Sequence, residues 1–381
     1  MPRLFSPFRL KDVALRNRIA LSPMTQYACG PDGVVTDWHL VHLGARASGG
    51  AGLIVMEQLA VAPEGRMTPG CAWLWNDTQA EALGRVTAFI RSQGAVAGVQ
   101  LGHSGRKGGL LPPWEGYGQM PEDHPLGWES VGPSAIPFGG RMPRPPREMT
   151  LDDIRRVQSD YVAAAKRALD AGFEWLEMHY AHGFLAANFL SPMANEREDA
   201  YGGSAANRAR FLVETFAAVR AVWPERLPLT VRIGAIDFHA GTHSLEDSIL
   251  ALRGLAQHGV DLIDVSMALN SDAVAVPWQQ PGFMVPYAAH IRRELGLPVA
   301  VSWNLGDPVA ADAVVRRGEA DVVMVGRPAL ANPHWPLFAA LRLNEAAPFA
   351  LLPPVYRTAL EKAKDNPHAS GFGEVRVAEM A

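Results

Sequence analysis

Cysteine is nearly missing from this chain: Cys29 and Cys71 are the only two among 381 residues. Two thiols cannot build a disulfide framework, nor hold an iron–sulfur cluster through four thiolates, so both are expected to be reduced and incidental. Long apolar runs are missing too. No uncharged apolar run reaches the about 18 residues of a membrane helix, and Met1–Leu10 is broken by Pro2, Pro7 and two arginines, unlike a signal peptide. A cytoplasmic protein with no membrane contact is therefore expected. An excess of charge of one sign is also absent. Thirty-five Lys and Arg stand against 39 Asp and Glu, a net charge of −4, which gives no general attraction for nucleic acid. Any bound anion must be held by a local Arg or Lys, and the expected partner is a small molecule. What is abundant is apolar: 48% of residues, with only 19% charged, which indicates a large core.

Short β-branched segments recur at Ile19–Ser22, Leu53–Met56, Val96–Leu101, Trp175–Met178, Leu229–Ile233, Leu262–Val265, Val299–Val301 and Val322–Val325. Helical spacing fills the intervals Thr78–Ser92, Thr150–Ala171, Ala205–Val222, Leu245–His258, Pro286–Leu295 and Pro308–Arg317. Eight strands alternating with helices predict the α/β class, as a single (β/α)8 TIM barrel. Phe5–Leu15 reads as an N-terminal hairpin closing the barrel bottom. One interval is oversized. Gly105–Glu148, after strand three, holds nine Gly and nine Pro and cannot be a helix. It is either a surface decoration or, since it leaves the catalytic face, a lid or wall over a site.

Barrel chemistry sits where strands end at the C-terminal face. There the sequence places Ser22-Pro23-Met24-Thr25-Gln26-Tyr27, Glu57-Gln58, Gln100 with His103, His179 with His182, and Arg232. The two histidines, three residues apart, can direct ring N–H groups at one oxygen and so polarise a carbonyl. Strand seven runs into Ser302-Trp303-Asn304-Leu305-Gly306 and strand eight into Gly326-Arg327-Pro328. These loops are the customary phosphate position of the fold, and Arg327 supplies the charge.

Five motifs, in order, resemble the Old Yellow Enzyme family of FMN-dependent ene-reductases along nearly the whole chain. They are Asn17-Arg18 with Ser22-Pro23-Met24; Gln100-Leu101-Gly102-His103-Ser104-Gly105-Arg106-Lys107; His179-Tyr180-Ala181-His182-Gly183; the run from Ser191-Pro192 through Asn195, Arg197, Asp199, Tyr201-Gly202-Gly203-Ser204 and Asn207-Arg208 to Arg210-Phe211; and Val325-Gly326-Arg327. The likeness is strongest to the bacterial branch of xenobiotic reductases and thermophilic-like enzymes. It implies FMN at the barrel mouth, with Pro23, Met24, Thr25, Gln58 and Gln100 around the ring, Arg232 near its N1–C2=O end, and the phosphate on Ser302, Trp303, Gly326 and Arg327. It further implies that His179 and His182 grip the carbonyl oxygen of a small electrophilic alkene, which takes hydride from the flavin, with NADPH or NADH as the reductant. Tyr27, Phe184, Trp303 and Arg357 are the other implied substrate contacts. The segment Pro353-Pro354-Val355-Tyr356-Arg357 resembles a tail that enters a neighbouring subunit's site, which implies a homodimer and divides the chain into a barrel over 1–345 and a tail over 346–381.

Two residues depart from the branch. Thr25 stands where Cys is usual, and Phe184 where a proton-donating Tyr is usual. With Phe184 unable to supply a proton, solvent water is the expected donor, and Tyr27 is the alternative. Phe184 also gives weight to a second reading, a flavoprotein with weak ene-reductase activity that acts on quinones or nitro compounds or serves as a redox partner. Blander readings stand beside these. Arg232 can serve a structural ion pair, Trp303 can be core, and His103, Arg106 and Lys107 are expected to anchor the insertion. No third ligand is spaced to make a metal site of the histidines.

Overall fold

Two short strands, β1 (Phe8–Leu10) and β2 (Val13–Leu15), form the expected antiparallel hairpin with Phe8 opposite Leu15. Both residues are buried, and Asp12 N donates to Arg226 O just ahead of a barrel strand, so the hairpin does cover the barrel's N-terminal end. The structure is a computed structural model that describes residues 3–239 and 242–366. The end of the expected tail, residues 367–381, lies outside the described residues.

The barrel begins with β3 (Ile19–Leu21), β4 (Leu53–Ala60) and β5 (Val96–Gly102). The insertion follows with β6 (Val131–Gly132) and β7 (Arg147–Glu148), paired only with each other. The barrel then resumes with β8 (Trp175–Tyr180), β9 (Leu229–Gly234), β10 (Ile263–Ser266), β11 (Val299–Val301) and β12 (Val322–Val325), and β12 pairs back onto β3 to close it. Every neighbouring pair in the barrel is parallel. Strands of this kind are covered on both sides, which is why they read as nearly continuous apolar runs. The eight expected strands are the eight observed. Two run more than one residue further than expected: β4 continues past a register shift at Met56/Gln58, so Glu57 and Gln58 lie inside it, and β8 includes His179 and Tyr180.

The outer helices are α1 (Asp37–Ser48), α2 (Asp77–Ser92), α3 (Leu151–Asp170), α4 (Leu185–Leu190), α5 (Ala205–Arg220), α6 (Leu245–Gln257), α7 (Val285–Leu295) and α8 (Pro308–Arg316). They are followed by α9 (Arg327–Ala331), α10 (Trp335–Arg342) and α11 (Pro354–Ala363). Thr150, Ser204, Ser244 and Asp307 accept the amide three residues on, each satisfying a donor that the first turn leaves free. α1 was not expected. Its capping partner is an imidazole, with His39 Nδ1 accepting from Thr36 N at 3.0 Å, instead of the usual Glu or Gln, and Gly44 dilutes its pattern.

Apart from two single-turn 3₁₀ pieces, the insertion contains no helix. Trp128 and Trp73 both pack on the Arg66 guanidinium, at 4.1 and 4.6 Å, which ties the insertion to the loop after β4. Arg106 donates to Ile136 O, Pro137 O and Asn270 O, and Arg197 to Pro133 O and Met149 O. The run from Ser191 to Phe211 is thus largely a fastening. Asn195 bridges Phe189 O and Tyr201 O, Arg208 reaches Leu190 O, and a Cβ at Gly202 would lie 2.0 Å from Arg197 O. No helix among the described residues is long and apolar enough to cross a membrane.

Candidate active site

Alternation along the strands builds the site. In β8, Glu177 and His179 share one face, and Tyr180 takes the other, where its hydroxyl donates to Leu212 O in α5. The matching positions of the next strands are Arg232 in β9 and Asp264 and Ser266 in β10, with Gln100 in β5 on the other side. These side chains form a polar layer inside the barrel. Arg232 Nε donates to Asp264 Oδ2 at 2.5 Å and its Nη2 to Ser22 Oγ at 3.0 Å, while Gln100 Nε2 donates to Glu177 Oε1 at 2.7 Å. Gln100 is thereby tied to this layer through its amide nitrogen.

Above that layer the two histidines meet edge to face, with ring centroids 4.9 Å apart. Burial holds both well below the ordinary imidazole range, assisted for His179 by His182, Arg232 and Lys107 and for His182 by Arg232 and Lys107. Both are neutral. His179 Nδ1 is buried with no hydrogen-bond partner, whereas His182 Nε2 lies 2.7 Å from Ser266 Oγ. That oxygen also accepts from Trp303 Nε1 at 2.8 Å. An indole N–H can only donate, so the chain is satisfied when Ser266 donates to His182 Nε2 and the His182 proton sits on Nδ1. The expectation of two N–H groups aimed at one point is thereby modified, because Ser266 and Trp303 claim one of the four ring nitrogens.

The loop that carries His182 is held firmly. Lys107 Nζ donates to His182 O at 2.5 Å, and a Cβ on Gly183 would lie 2.1 Å from Leu269 O. Burial, then the charge of Arg106, push the Lys107 ammonium down to about 7. Phe184 packs edge-on against His179 at 4.9 Å and joins Met67, Cys71, Leu110 and Met142 in a cluster that includes Tyr27, Tyr117 and Phe138. Trp114 meets Tyr27 edge-on at 5.7 Å. Leu110, Trp114, Tyr117, Phe138 and Met142 all come from the insertion, which is therefore a wall beside the histidines and not a surface decoration. The Tyr27 and Tyr117 phenols hydrogen-bond to one another, and burial pushes both upward, so each keeps its proton.

A cavity of about 410 Å³ opens at the C-terminal ends of β3, β11 and β12, inside the about 300–1,000 Å³ typical of ligand pockets. Of the expected residues it gathers Pro23, Met24, His182, Arg232, Ser302, Trp303, Gly326 and Arg327. Thr25, Tyr27, Gln58, Gln100, His179 and Phe184 do not line it. Arg357 is elsewhere, donating to Ala350 O beside α11. Arg327 has no ion-pair partner among the described residues and lies 5.7 Å from the Trp303 ring, leaving its charge for an anion. The short α9 adds little dipole, so the charge of Arg327 carries the attraction. Tyr27, His182, Phe238, Leu269, Trp303 and Asn304 all have positive φ and all sit on loops at this end of the barrel, strain of the kind that concentrates at working sites. Sequence reasoning missed Glu177, Asp264, Ser266 and Tyr117. The first three carry a signal, since each is polar at an inward position of an apolar strand. No group of three or more His, Cys, Asp or Glu among the described residues could hold a metal ion.

A parallel barrel with an unpaired arginine at the strand seven and eight end, and neutral histidines farther along the same rim, belongs to the class of barrel enzymes that hold a phosphorylated cofactor. The chain belongs to the NADH:flavin oxidoreductase / NADH oxidase family, which matches residues 3–345. It is an NAD(P)H:flavin oxidoreductase of Old Yellow Enzyme type, using a flavin and a nicotinamide cofactor. The NADPH dehydrogenase of Geobacillus thermodenitrificans is 40% identical over 345 residues, 90% of this chain and 94% of that protein. That of Listeria monocytogenes serotype 4a is 40% identical over 346 residues, 91% and 96%. Among solved structures, morphinone reductase in complex with tetrahydroNAD superposes with a TM-score of 0.74 at 29% identity, covering 90% of this chain and 91% of that one. The old yellow enzyme homologue from Zymomonas mobilis gives 0.72 at 28%, covering 87% and 90%. A 2-naphthoyl-CoA reductase complex gives 0.81 at 26% over 92% of this chain, which spans about half, 53%, of that longer protein.

Proposed function

We propose that this protein is an FMN-dependent ene-reductase that reduces the activated C=C bond of α,β-unsaturated carbonyls at the expense of NADPH or NADH. The observation that carries this reading is the pair of neutral histidines, one with a buried Nδ1 lacking any partner, beside a cavity that contains both Arg232 and the unpaired Arg327. The residues fit FMN. Gln58 Oε1 and Ser302 Oγ are also buried without partners, and both belong to the positions the family resemblance gives to the cofactor. Arg327 and Ser302, with Trp303 and Gly326, would hold the phosphate; Pro23, Met24, Thr25, Gln58 and Gln100 would border the ring, with Arg232 at its anionic end. Bound there, FMN supplies hydride transfer between the nicotinamide and the alkene.

The protein's own part is electrostatic. A neutral imidazole N–H aimed at the substrate oxygen stabilises the negative charge that grows there, and in a dry site such a donor needs no reorganisation. Trp303 and Ser266 fix the His182 ring, and Lys107 fixes its backbone. Phe184 bounds the site without supplying a proton, so the proton at the substrate α-carbon comes from water. Tyr27 is the alternative source, and Tyr117 stands behind it. Arg357 does not line the cavity of its own chain, and Val355 and Tyr356 are exposed on α11, which supports the tail serving a neighbouring subunit of a homodimer; the compartment is read as the cytoplasm.

Purified protein should be yellow, bleach on anaerobic addition of NADPH, and recover its colour with 2-cyclohexenone. Colourless protein that refuses added FMN would end this reading, and sedimentation of the same material as a fully active monomer would end the dimer. Tyr27→Phe should bleach and recover like the parent; recovery lost with bleaching intact would transfer the proton to Tyr27. Sluggish recovery with enones but fast recovery with quinones would favour the second reading, to which Phe184 already points.

A further inference from the structure

Beneath the cavity the inward layer has a charge imbalance. Glu177 and Asp264 are two buried carboxyls, and Arg232 is the one guanidinium between them. The groups packed around them do not correct it. β5 offers uncharged Gln100, β9 offers Thr230 besides Arg232, and β10 offers Ser266 besides Asp264. On β8 itself His179 is neutral, as is His182 above it, and the Lys107 ammonium is turned to His182 O and Leu269 O.

Arg232 is not shared equally. Its Nε is 2.5 Å from Asp264 Oδ2 but 3.8 Å from Glu177 Oε1, which instead accepts from Gln100. Asp264 Oδ1 is buried with no donor in hydrogen-bonding position, although the two carboxyl groups are close enough to hydrogen-bond. A surplus carboxylate in a dry interior takes up a proton rather than remain charged. One proton on Glu177 removes the surplus charge and supplies the donor that Asp264 lacks.

We propose that Glu177 and Asp264 share a single proton, carried by Glu177 and donated to Asp264, and that this proton keeps the floor of the cofactor pocket electrically neutral. Burial and the charge of Asp264 both raise Glu177 well above the ordinary carboxylate range, against the pull of Arg232. When the proton leaves in alkali, an unbalanced carboxylate remains under Arg232, and negative charge in the pocket above becomes harder to hold. Only this last consequence rests on the flavin reading.

Infrared spectroscopy of the holoenzyme, with and without ¹³C-glutamate, tests the proton directly. At neutral pH the spectrum should contain a protonated carboxylic acid band that shifts with the label, disappears in Glu177→Gln, and titrates away as the pH rises. Asp264→Asn gives a second readout, since without the neighbouring charge Glu177 should ionise against Arg232 and the band should be lost at neutral pH. A spectrum showing both groups ionised at neutral pH would overturn the proposal, as would a band that survives Glu177→Gln. The flavin midpoint potential should fall more steeply with pH in the parent than in Glu177→Gln once the band begins to titrate; equal slopes would overturn the link to the pocket. A band present in protein that binds no flavin would leave the shared proton standing and remove the flavin reading instead.

Discussion

Replacing His179 or His182 with alanine should lower turnover of 2-cyclohexenone by about 10²–10³ for each oxyanion donor removed, while the yellow cofactor is retained. The size of the effect follows from the dryness of the site. His179 is buried, His182 half-buried, and both are neutral, so each N–H acts in a medium that screens little. The loss should be larger for His179, whose Nδ1 is buried with no hydrogen-bond partner, than for His182, whose loss leaves Ser266 as a substitute donor. Stopped-flow measurement of recovery by the enone, separate from bleaching by NADPH, checks this, and equal rates in His179→Ala and the parent would refute it. Their neutrality has a second consequence. Imidazoles held below their unfolded value of about 6.5 bind no proton in the folded state, so the unfolded chain binds more protons in acid and stability falls as pH drops through that value.

Arg232→Met should destabilise the fold by about 3–5 kcal/mol, the usual penalty for breaking a buried ion pair from one side. Arg232 is buried, and its removal leaves Asp264 without its 2.5 Å partner and Ser22 Oγ without its donor. Proton uptake recovers part of the loss in acid, so the deficit should widen as pH rises. Urea midpoints at two pH values measure it. A midpoint within experimental error of the parent at high pH would mean that the guanidinium is not holding charge in the core. Flavin affinity should fall in the same variant, because Arg232 lines the cavity.

The fold was legible to an unusual degree because parallel strands covered on both faces leave dense apolar runs between helices, and each of the eight was found in its place. What escaped was local. α1 hid behind His39, since a ring nitrogen does the capping normally done by a Glu or Gln that sequence patterns recognise. At the site, residues placed by strand ends were found at the rim, with Pro23, His182, Arg232, Ser302 and Arg327 around one cavity. For Gln100, one sequence cannot reveal that its amide also faces Glu177 across a strand pair. Tyr117 was invisible for another reason: it arrives from a Gly- and Pro-rich segment whose path no periodicity describes. The run from Ser191 to Phe211 was conspicuous, and most of its polar groups turn out to fasten loops.

Gly183 and Lys107 separate two properties that are usually entangled. Because the one admits no side chain against Leu269 O and the other clamps His182 O, the course of the chain through this corner is set independently of residue 184. That position can exchange phenyl for phenol, gaining or surrendering an acid, without redirecting the two imidazoles that precede it. Diversification of the chemistry, by evolution or by engineering, has there an address at which reactivity is adjustable while the scaffold stays indifferent.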